Sequence, residues 1–379
     1  MSEKILHLRS SGGLYGAEQV ILNLSSELNT LGCTNLIVCF NNIGNPHLEL
    51  VEAARAANLS AITVECRGSF DRQTVTNIRS LLERHEIDVL HCHDYKARAF
   101  GLLAVRGLAV KTVATNHLWT RANPRLWLYE TIDGVLFNGF DQVVAVSEPI
   151  ARECRVFMLR KDRLSCIPNG IDSRRFTPDD RAGERRATRA RLGLNHSDVV
   201  IGNIARLSIE KDHAGLLRAF KILIGLSKDR PLKLVVAGDG PERPGLLDLA
   251  RQLGIDQQCL FVGVRTDVPQ ILNCLDIYVQ SSRREGLPII ILEAMAAQVP
   301  IVSTKAGGIP NVITDHQHGR LVEIGDPDQL AAVLNDVLTN ADERQRSVVQ
   351  ARQLVERQYS GRLMATRYLD IYRQLLGRR

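Results

Sequence analysis

No stretch of the 379-residue chain approaches the roughly 18 uninterrupted apolar residues that a membrane-spanning helix requires. Aromatic side chains are scarce, at 5% with two tryptophans, so the apolar 45% falls mainly to Ala, Leu, Val and Ile. That make-up suits α/β folds with buried parallel sheets, whose strands are near-continuous aliphatic runs. Cysteine pairing is absent too. The eight cysteines, at positions 33, 39, 66, 92, 154, 166, 259 and 274, show no CxxC spacing, and several fall in predicted strands. They are expected to be reduced and buried, as in a cytoplasmic protein. A secretory leader is not expected, because Lys4-Ile5-Leu6-His7-Leu8 already reads as a first strand. An acidic excess is lacking as well: the net charge is +6, with 24% charged residues, which favours an anionic partner. No basic motif interleaved with aromatics is present, so nucleic acid is not the expected one.

At this length two domains of ordinary size are expected rather than one core. The most informative stretch runs from Tyr278 to Thr304. Ile277 to Gln280 suits a buried parallel strand, Ser281 to Gly286 is polar and turn-like, and Pro288 fits the first turn of a helix. Ile289 to Ala297 carries that helix, Val299-Pro300 ends it, and Ile301 to Thr304 is the next strand. The loop therefore lies at a strand's carboxyl end and a helix's amino end, where free N–H groups hold anions. Two carboxylates occur here at E-x7-E spacing, Glu285 in the loop and Glu293 inside an otherwise apolar helix. They read as a surface Glu plus a salt-bridged one, as a hydrolase-like acid pair about 5–10 Å apart, or as groups holding different parts of one ligand. One carboxylate before the helix and one inside it point to different parts of a ligand, which favours the last.

The strand-then-turn arrangement recurs along the chain. Lys4 to Arg9 precedes Ser10-Ser11-Gly12-Gly13-Leu14-Tyr15-Gly16-Ala17-Glu18, which matches two of the three glycines of a dinucleotide fingerprint. The next strand, Asn35 to Phe40, ends in Asn41-Asn42 and not in the acidic residue that holds an NAD ribose, so a dehydrogenase is disfavoured. Strands near Ala61 to Glu65, Val89 to His93, Thr112 to Thr115 and Gln142 to Val146 alternate with helical patterns, implying a parallel sheet. His91 and His93 point to the same side of their strand, but no third metal ligand stands nearby in the sequence, and no metal site is expected. His117 closes another strand. Leu118 to Phe140 carries both tryptophans with Arg121 and Arg125; it reads as a core helix with one aromatic face or as a surface that touches lipid. Pro168-Asn169-Gly170-Ile171-Asp172 is turn-rich and suits a hinge, and Arg181 to Leu194 reads as a solvated basic helix. Val199 to Ile204 opens a second sheet. Arg206 and Lys211 follow it on one loop, a planar fork and a mobile point charge of the kind a diphosphate needs.

Glu285-Gly286-Leu287-Pro288, Glu293-Ala294-Met295-Ala296, Pro300-Ile301-Val302 and Gly307-Gly308 closely resemble the signature of the family 4 glycosyltransferases. Asn169-Gly170-Ile171-Asp172 and Gly238-Asp239-Gly240-Pro241-Glu242 resemble further motifs of the same family. The likeness covers nearly the whole chain and is thinnest from Phe40 to Arg84; it departs at Gln298, where glycine is common, and at Asn311, where glutamate is common. It implies the GT-B architecture, an α/β fold of two facing Rossmann-like domains with parallel sheets. Residues 1–172 with a crossover helix over 359–379 would form the acceptor domain, and 173–358 the nucleotide-sugar domain. It further implies a retaining hexosyltransferase that moves a sugar from a nucleotide-diphosphate sugar, such as a UDP-sugar, to a hydroxyl of a glycan or lipid-linked acceptor. Bacterial surface polysaccharide or glycolipid synthesis is the implied setting, with no cofactor, no required metal and peripheral contact with the anionic inner face of the cytoplasmic membrane. By the resemblance Arg206, Lys211 and the helix start at Gly286-Leu287-Pro288 hold the diphosphate, Glu285 the transferred sugar and Glu293 the ribose. Val264 and Arg265 frame the base, Gly13 faces the diphosphate from the other domain, and His117 contacts the sugar near its 6-position. Glu285, His117, Arg206 and Lys211 form the implied catalytic set. A nucleotide-sugar 2-epimerase or hydrolase of the same architecture, and a non-catalytic nucleotide-sugar-binding subunit, are the alternatives.

Overall fold

A computed structural model describes residues 2–68, 71–119 and 124–378. The chain divides into two compact units, Met1–Ile171 with Gly361–Arg379, and Asp172–Ser360. In the first, strands and helices alternate: β1 (Lys4–Arg9), α1 (Gly16–Thr30), β2 (Thr34–Asn42), α2 (Glu49–Ala56), β3 (Ala61–Cys66), α3 (Arg72–Arg84), β4 (Val89–Cys92), α4 (Tyr95–Ala104), β5 (Lys111–Asn116), α5 (Pro124–Leu136), β6 (Gln142–Ala145), α6 (Glu148–Phe157) and β7 (Leu164–Cys166). The second unit continues with α7 (Arg181–Arg191), β8 (Val199–Ile204), α8 (His213–Leu226), β9 (Leu232–Ala237), α9 (Arg243–Gln252), β10 (Cys259–Gly263), α10 (Val268–Cys274), β11 (Ile277–Gln280), α11 (Ile289–Ala296), β12 (Ile301–Thr304), β13 (Arg320–Val322), α12 (Pro327–Thr339) and α13 (Ala341–Gln358). The last helix, α14 (Gly361–Leu376), returns to the first unit, where the Gly361 N–H donates to the Ile171 carbonyl at 2.8 Å.

Both sheets are wholly parallel, ordered β3-β2-β1-β4-β5-β6-β7 and β10-β9-β8-β11-β12-β13. Parallel strands need crossovers that cover both faces, and the sequence supplies them: Ile5, Leu6 and Leu8 of β1, Val89 and Leu90 of β4, and Val200 and Ile201 of β8 are fully buried. The order reverses between β1 and β4 and again between β8 and β11. At such a reversal the two following loops diverge, opening a crevice at the carboxyl edge of the sheet.

Some elements end differently from the sequence reading. Strand β4 stops at Cys92 and β5 at Asn116, so His93 and His117 each stand one residue beyond a strand. Pro288 is the N-cap of α11 with ψ 122°, outside the helix rather than in its first turn. Helix α7 is not a free solvated face. Arg185 and Arg189 reach Asp276 at 2.6 and 2.8 Å and also donate to the carbonyls of Asn273, Cys274 and Leu275, clamping α7 to the start of β11.

Candidate active site

The two loops at the second unit's switch point are tied to each other by backbone and side chain. After β8, Ala205 to Ser208 leads into a short 3-10 turn, Ile209–Lys211, and Asp212 then caps α8 from a left-handed conformation, φ 48°, its carboxylate accepting the Gly215 N–H. After β11, the Arg283 N–H donates to the Glu210 carbonyl at 2.8 Å, and the Ser281 hydroxyl donates to the Lys211 carbonyl at 2.9 Å. Glycine turns make the close approach feasible. Gly307, at φ 54°, lies so near that a Cβ on it would stand 1.7 Å from the Glu285 carbonyl oxygen. Gly238, at φ 138°, underlies the Arg206 loop in the same way, with Ala205 as its neighbour.

Within this frame Lys211 and Glu285 meet. The Lys211 ammonium donates to Glu285 Oε1 at 2.7 Å and to Oε2 at 2.9 Å. Glu285 is almost fully buried, and Oε1 also accepts from Gln280 Nε2 and the Ser282 hydroxyl, each at 2.6 Å. Tyr278 donates to Gln280 Oε1 and so fixes which end of that amide faces Glu285. The carboxylate is thus held by three donors from one strand and two loops. Arg206 stands exposed on the Lys211 loop. Gly286, Leu287 and Pro288 lead into α11, and the Gly286 carbonyl accepts the Gly308 N–H at 2.8 Å.

Glu293 lies inside α11, buried, with a different electrostatic setting. Burial pushes its carboxyl up to about 7, and the Arg175 charge opposes that shift. Arg175 belongs to the 3-10 turn Ser173–Phe176, which packs on α11. Sequence reading passed over Arg175, and also Gln280 and Ser282. The available signal was a cation just past the NGID turn and two polar residues ending a buried strand. Val264 is exposed after β10, and Asp267 takes the edge of the Arg265 guanidinium bidentately at 2.8 and 2.7 Å.

The first unit holds Gly13 and His117. Gly13, φ 138°, sits in the loop after β1, where Ser11 Oγ bonds its N–H and carbonyl and Glu18 ties the loop to Arg9 at 2.9 Å. His117 follows β5 and is partly buried, its Nε2 3.3 Å from His93 Nδ1. Its backbone is pinned on both sides: Arg98 donates to the Thr115 carbonyl at 2.8 Å, and the Trp119 indole donates to Asp133 at 2.9 Å, Asp133 being paired with Arg98 in the interior. Trp119 is therefore a core anchor. Trp127 is exposed on α5, Arg121 lies outside the described residues, and nothing is described of the Arg125 side chain. No third ligand stands near His91 and His93 in the sequence, but the fold brings one close in space. Register places His7 of β1 beside His91 of β4, and His7, His91 and His93 bring ring nitrogens within 4.8 Å of one another. Each of those nitrogens already has a partner: Asn35 and His93 for His7, Tyr372 and Thr115 for His91, His7 and His117 for His93.

Two Rossmann-like units, one carrying cations and buried carboxylates at its switch point, define the GT-B class of glycosyltransferases. The solved structure of HepE from Anabaena, described as a complex with UDP and glucose, superposes with a TM-score of 0.86 over 97% of this chain and 99% of that one, at 20% identity. The model of group 1 glycosyl transferases matches residues 184–354, and the model of glycosyltransferase family 4 matches residues 15–175. Between them the two models span most of the chain, which belongs to the family 4 glycosyltransferases. Among curated relatives, N-acetyl-alpha-D-glucosaminyl L-malate synthase of Bacillus anthracis is 25% identical over 81% of this chain and 80% of its own length. UDP-Gal:alpha-D-GlcNAc-diphosphoundecaprenol alpha-1,3-galactosyltransferase of Escherichia coli is 25% identical over 71% and 72%. The chain is a glycosyltransferase.

Proposed function

We propose that this glycosyltransferase takes a hexosyl group from a UDP-sugar or related nucleotide-diphosphate sugar and adds it, with retention of anomeric configuration, to a hydroxyl of a glycan or lipid-linked acceptor. The observation that carries the reading is the Lys211–Glu285 pair at the β8/β11 switch point. Breaking the anomeric C–O bond leaves a diphosphate with added negative charge, and stabilising that charge is the main catalytic task. Two of the Lys211 N–H groups go to Glu285, which leaves the third for a phosphate oxygen. Arg206 supplies a second cation from the same loop, and the amino end of α11 supplies its helix dipole. These groups hold the diphosphate without a metal. Glu285 accepts hydrogen bonds from hydroxyls of the transferred sugar, and Glu293, when ionised, accepts both ribose hydroxyls. The acceptor oxygen attacks on the face the diphosphate leaves, and its proton passes to a phosphate oxygen, so no separate base is needed. The relatives named above, one acting on a lipid-linked diphosphate and one described with UDP and glucose, support the donor and acceptor classes. Incubation with UDP- and GDP-sugars and candidate acceptors, with the new anomeric centre read by NMR, tests this. An inverted product, or UDP release that does not depend on acceptor, would overturn it.

Peripheral membrane contact belongs to the same proposal. Leu128, Ile132 and Val135 expose an apolar stripe on α5, with Trp127 beside it. Asn138 Nδ2 donates to both the Val135 and Phe157 carbonyls at 3.0 Å, which sets exposed Val156 and Leu159 next to that stripe. Exposed Arg152 and Arg155 lie on α6 and Arg160 and Lys161 follow it, with Arg155 paired to Glu148 and Arg160 to Asp162. Apolar side chains with cations around them favour an anionic lipid surface. Co-flotation with anionic but not zwitterionic vesicles is the expected result; among the described residues no helix is long and apolar enough to cross a membrane.

A further inference from the structure

We infer that a one-way chain of hydrogen bonds running Asn35–His7–His93–His117 fixes the tautomer of His117 and presents its Nδ1 as a hydrogen-bond acceptor for a hydroxyl of the transferred sugar, which makes Asn35, His7 and His93 positioning residues. The inference rests on the glycosyl-transfer reading for its ligand, but not for its chemistry. The direction of the chain begins at Asn35. Its Nδ2 donates to Asn29 Oδ1 at 2.7 Å and to the Ser25 carbonyl at 3.4 Å, so the amide oxygen is the end that faces His7, 3.3 Å away. An amide oxygen accepts, so His7 Nε2 carries the hydrogen. His7 is fully buried, and burial lowers its pKa to about 4, so the ring is neutral and holds a single proton. His7 Nδ1 is then a lone pair, and the His93 Nε2–H donates to it across 3.1 Å. Burial holds His93 well below the ordinary histidine range, so it too is neutral and its Nδ1 is a lone pair. That lone pair takes the His117 Nε2–H at 3.3 Å. His117 is likewise kept neutral, by burial first and then by the Arg9 and Arg98 charges, which leaves its Nδ1 bare.

His117 Nδ1 is shielded from solvent and has no hydrogen-bond partner among the described residues. An acceptor left so is unfavourable unless a ligand completes it. Its sign also states the ligand: a lone pair meets an O–H or N–H donor and repels the oxygens of a phosphate or carboxylate. On a sugar donor that partner is a hydroxyl. The opposite direction would require Asn35 to turn its N–H groups toward His7, losing the Asn29 and Ser25 acceptors. His91 stands outside the chain, its nitrogens taken by Tyr372 and Thr115 at 2.7 Å each.

The test uses the full chain labelled with 15N-histidine, its ring resonances assigned by single-histidine variants. The expected result is a protonated Nε2 and unprotonated Nδ1 on His7, His93 and His117 throughout pH 6–8, unchanged by a chelator. A protonated His117 Nδ1, averaged tautomers, or shifts that move with EDTA would overturn the chain. For the ligand, kcat/KM is measured for the preferred donor and for the same donor lacking each sugar hydroxyl in turn. His93→Phe should cut the preference for the hydroxylated donor by about tenfold or more while UDP affinity stays as in the parent. Equal slowing of all these donors would reduce His93 to a packing residue and overturn the proposal. Should the parent chain transfer no sugar at all, the function falls while the tautomer readout still decides the relay.

Discussion

Lys211 and Glu285 neutralise one another across two loops, and their burial differs: the side chains are 17% and 4% exposed. Removing the cation therefore strands a carboxylate in the interior, held by Gln280 and Ser282 among the described residues. Lys211→Ala should lower stability by about 2 kcal/mol and turnover by about a hundredfold or more. Adding Glu285→Gln to that variant should recover part of the stability and none of the turnover, as a double-mutant cycle by denaturant titration and initial rates will report. Glu293 gives a pH signature. Its folded pKa of about 7 lies above the ordinary 4.5, so its protonated form is favoured by folding. The stability it permits is full below about pH 4.5 and is lost as pH rises through 7, where the buried carboxyl must ionise. Glu293→Gln should thus be more stable than the parent at pH 8, by on the order of 2–3 kcal/mol, and equal to it at pH 4. Ribose hydroxyls donate best to the ionised form, so UDP affinity measured by calorimetry should rise between pH 6 and 8 in the parent and stay flat in the variant.

At the scale of elements, α11 closes on a residue poorly suited to its place. Gln298 follows the helix at φ 52°, a left-handed conformation that glycine adopts without strain. Its amide is only 3.4 Å from Arg181, whose firmer contact is with the Ala297 carbonyl at 2.6 Å, so little is lost with the side chain. Gln298→Gly should raise stability by about 0.5–1 kcal/mol, read as a higher Tm with unchanged activity. This element shows why parts of the fold were readable in advance. The aliphatic runs of β8, β11 and β12 can only be buried strands, and a polar loop between strand and helix marks the carboxyl edge where Arg206, Lys211 and Glu285 stand. What could not be read was long-range pairing. His7 and His93 are 86 positions apart, and only the β1–β4 register makes them neighbours. The role of α7 escaped for the same reason, because the strand entry that Arg185 and Arg189 clamp lies about 90 residues downstream.

At the scale of the whole molecule, the first α/β unit is completed by a distant segment of the chain. The first unit leaves off at Ile171 and resumes at Gly361, with the second unit, Asp172–Ser360, spelled out in between. Helix α14 is part of the first unit's interior: Met364, Ala365, Tyr368, Leu369 and Tyr372 are buried. Tyr372 bonds His91 Nδ1 at 2.7 Å, Tyr368 bonds Thr115 at 3.0 Å, and Arg373 pairs with Glu3 at 2.9 Å. Each large apolar side chain returned to water forfeits about 1.5–3 kcal/mol, and a buried hydrogen-bonding group left without a partner costs about 1–3 kcal/mol more. Summed over α14 these losses reach the 5–15 kcal/mol that holds a typical domain together. A chain ending at Ser360 should therefore lose the first unit's unfolding transition in calorimetry. The second unit contains Arg206, Lys211, Glu285 and Glu293 together with the loops that orient them, so its transition should persist and still move upward with added UDP. UDP binding by residues 172–360 alone, within about tenfold of the full chain, is the matching outcome. Loss of both transitions on truncation would show that the two units fold only as one body.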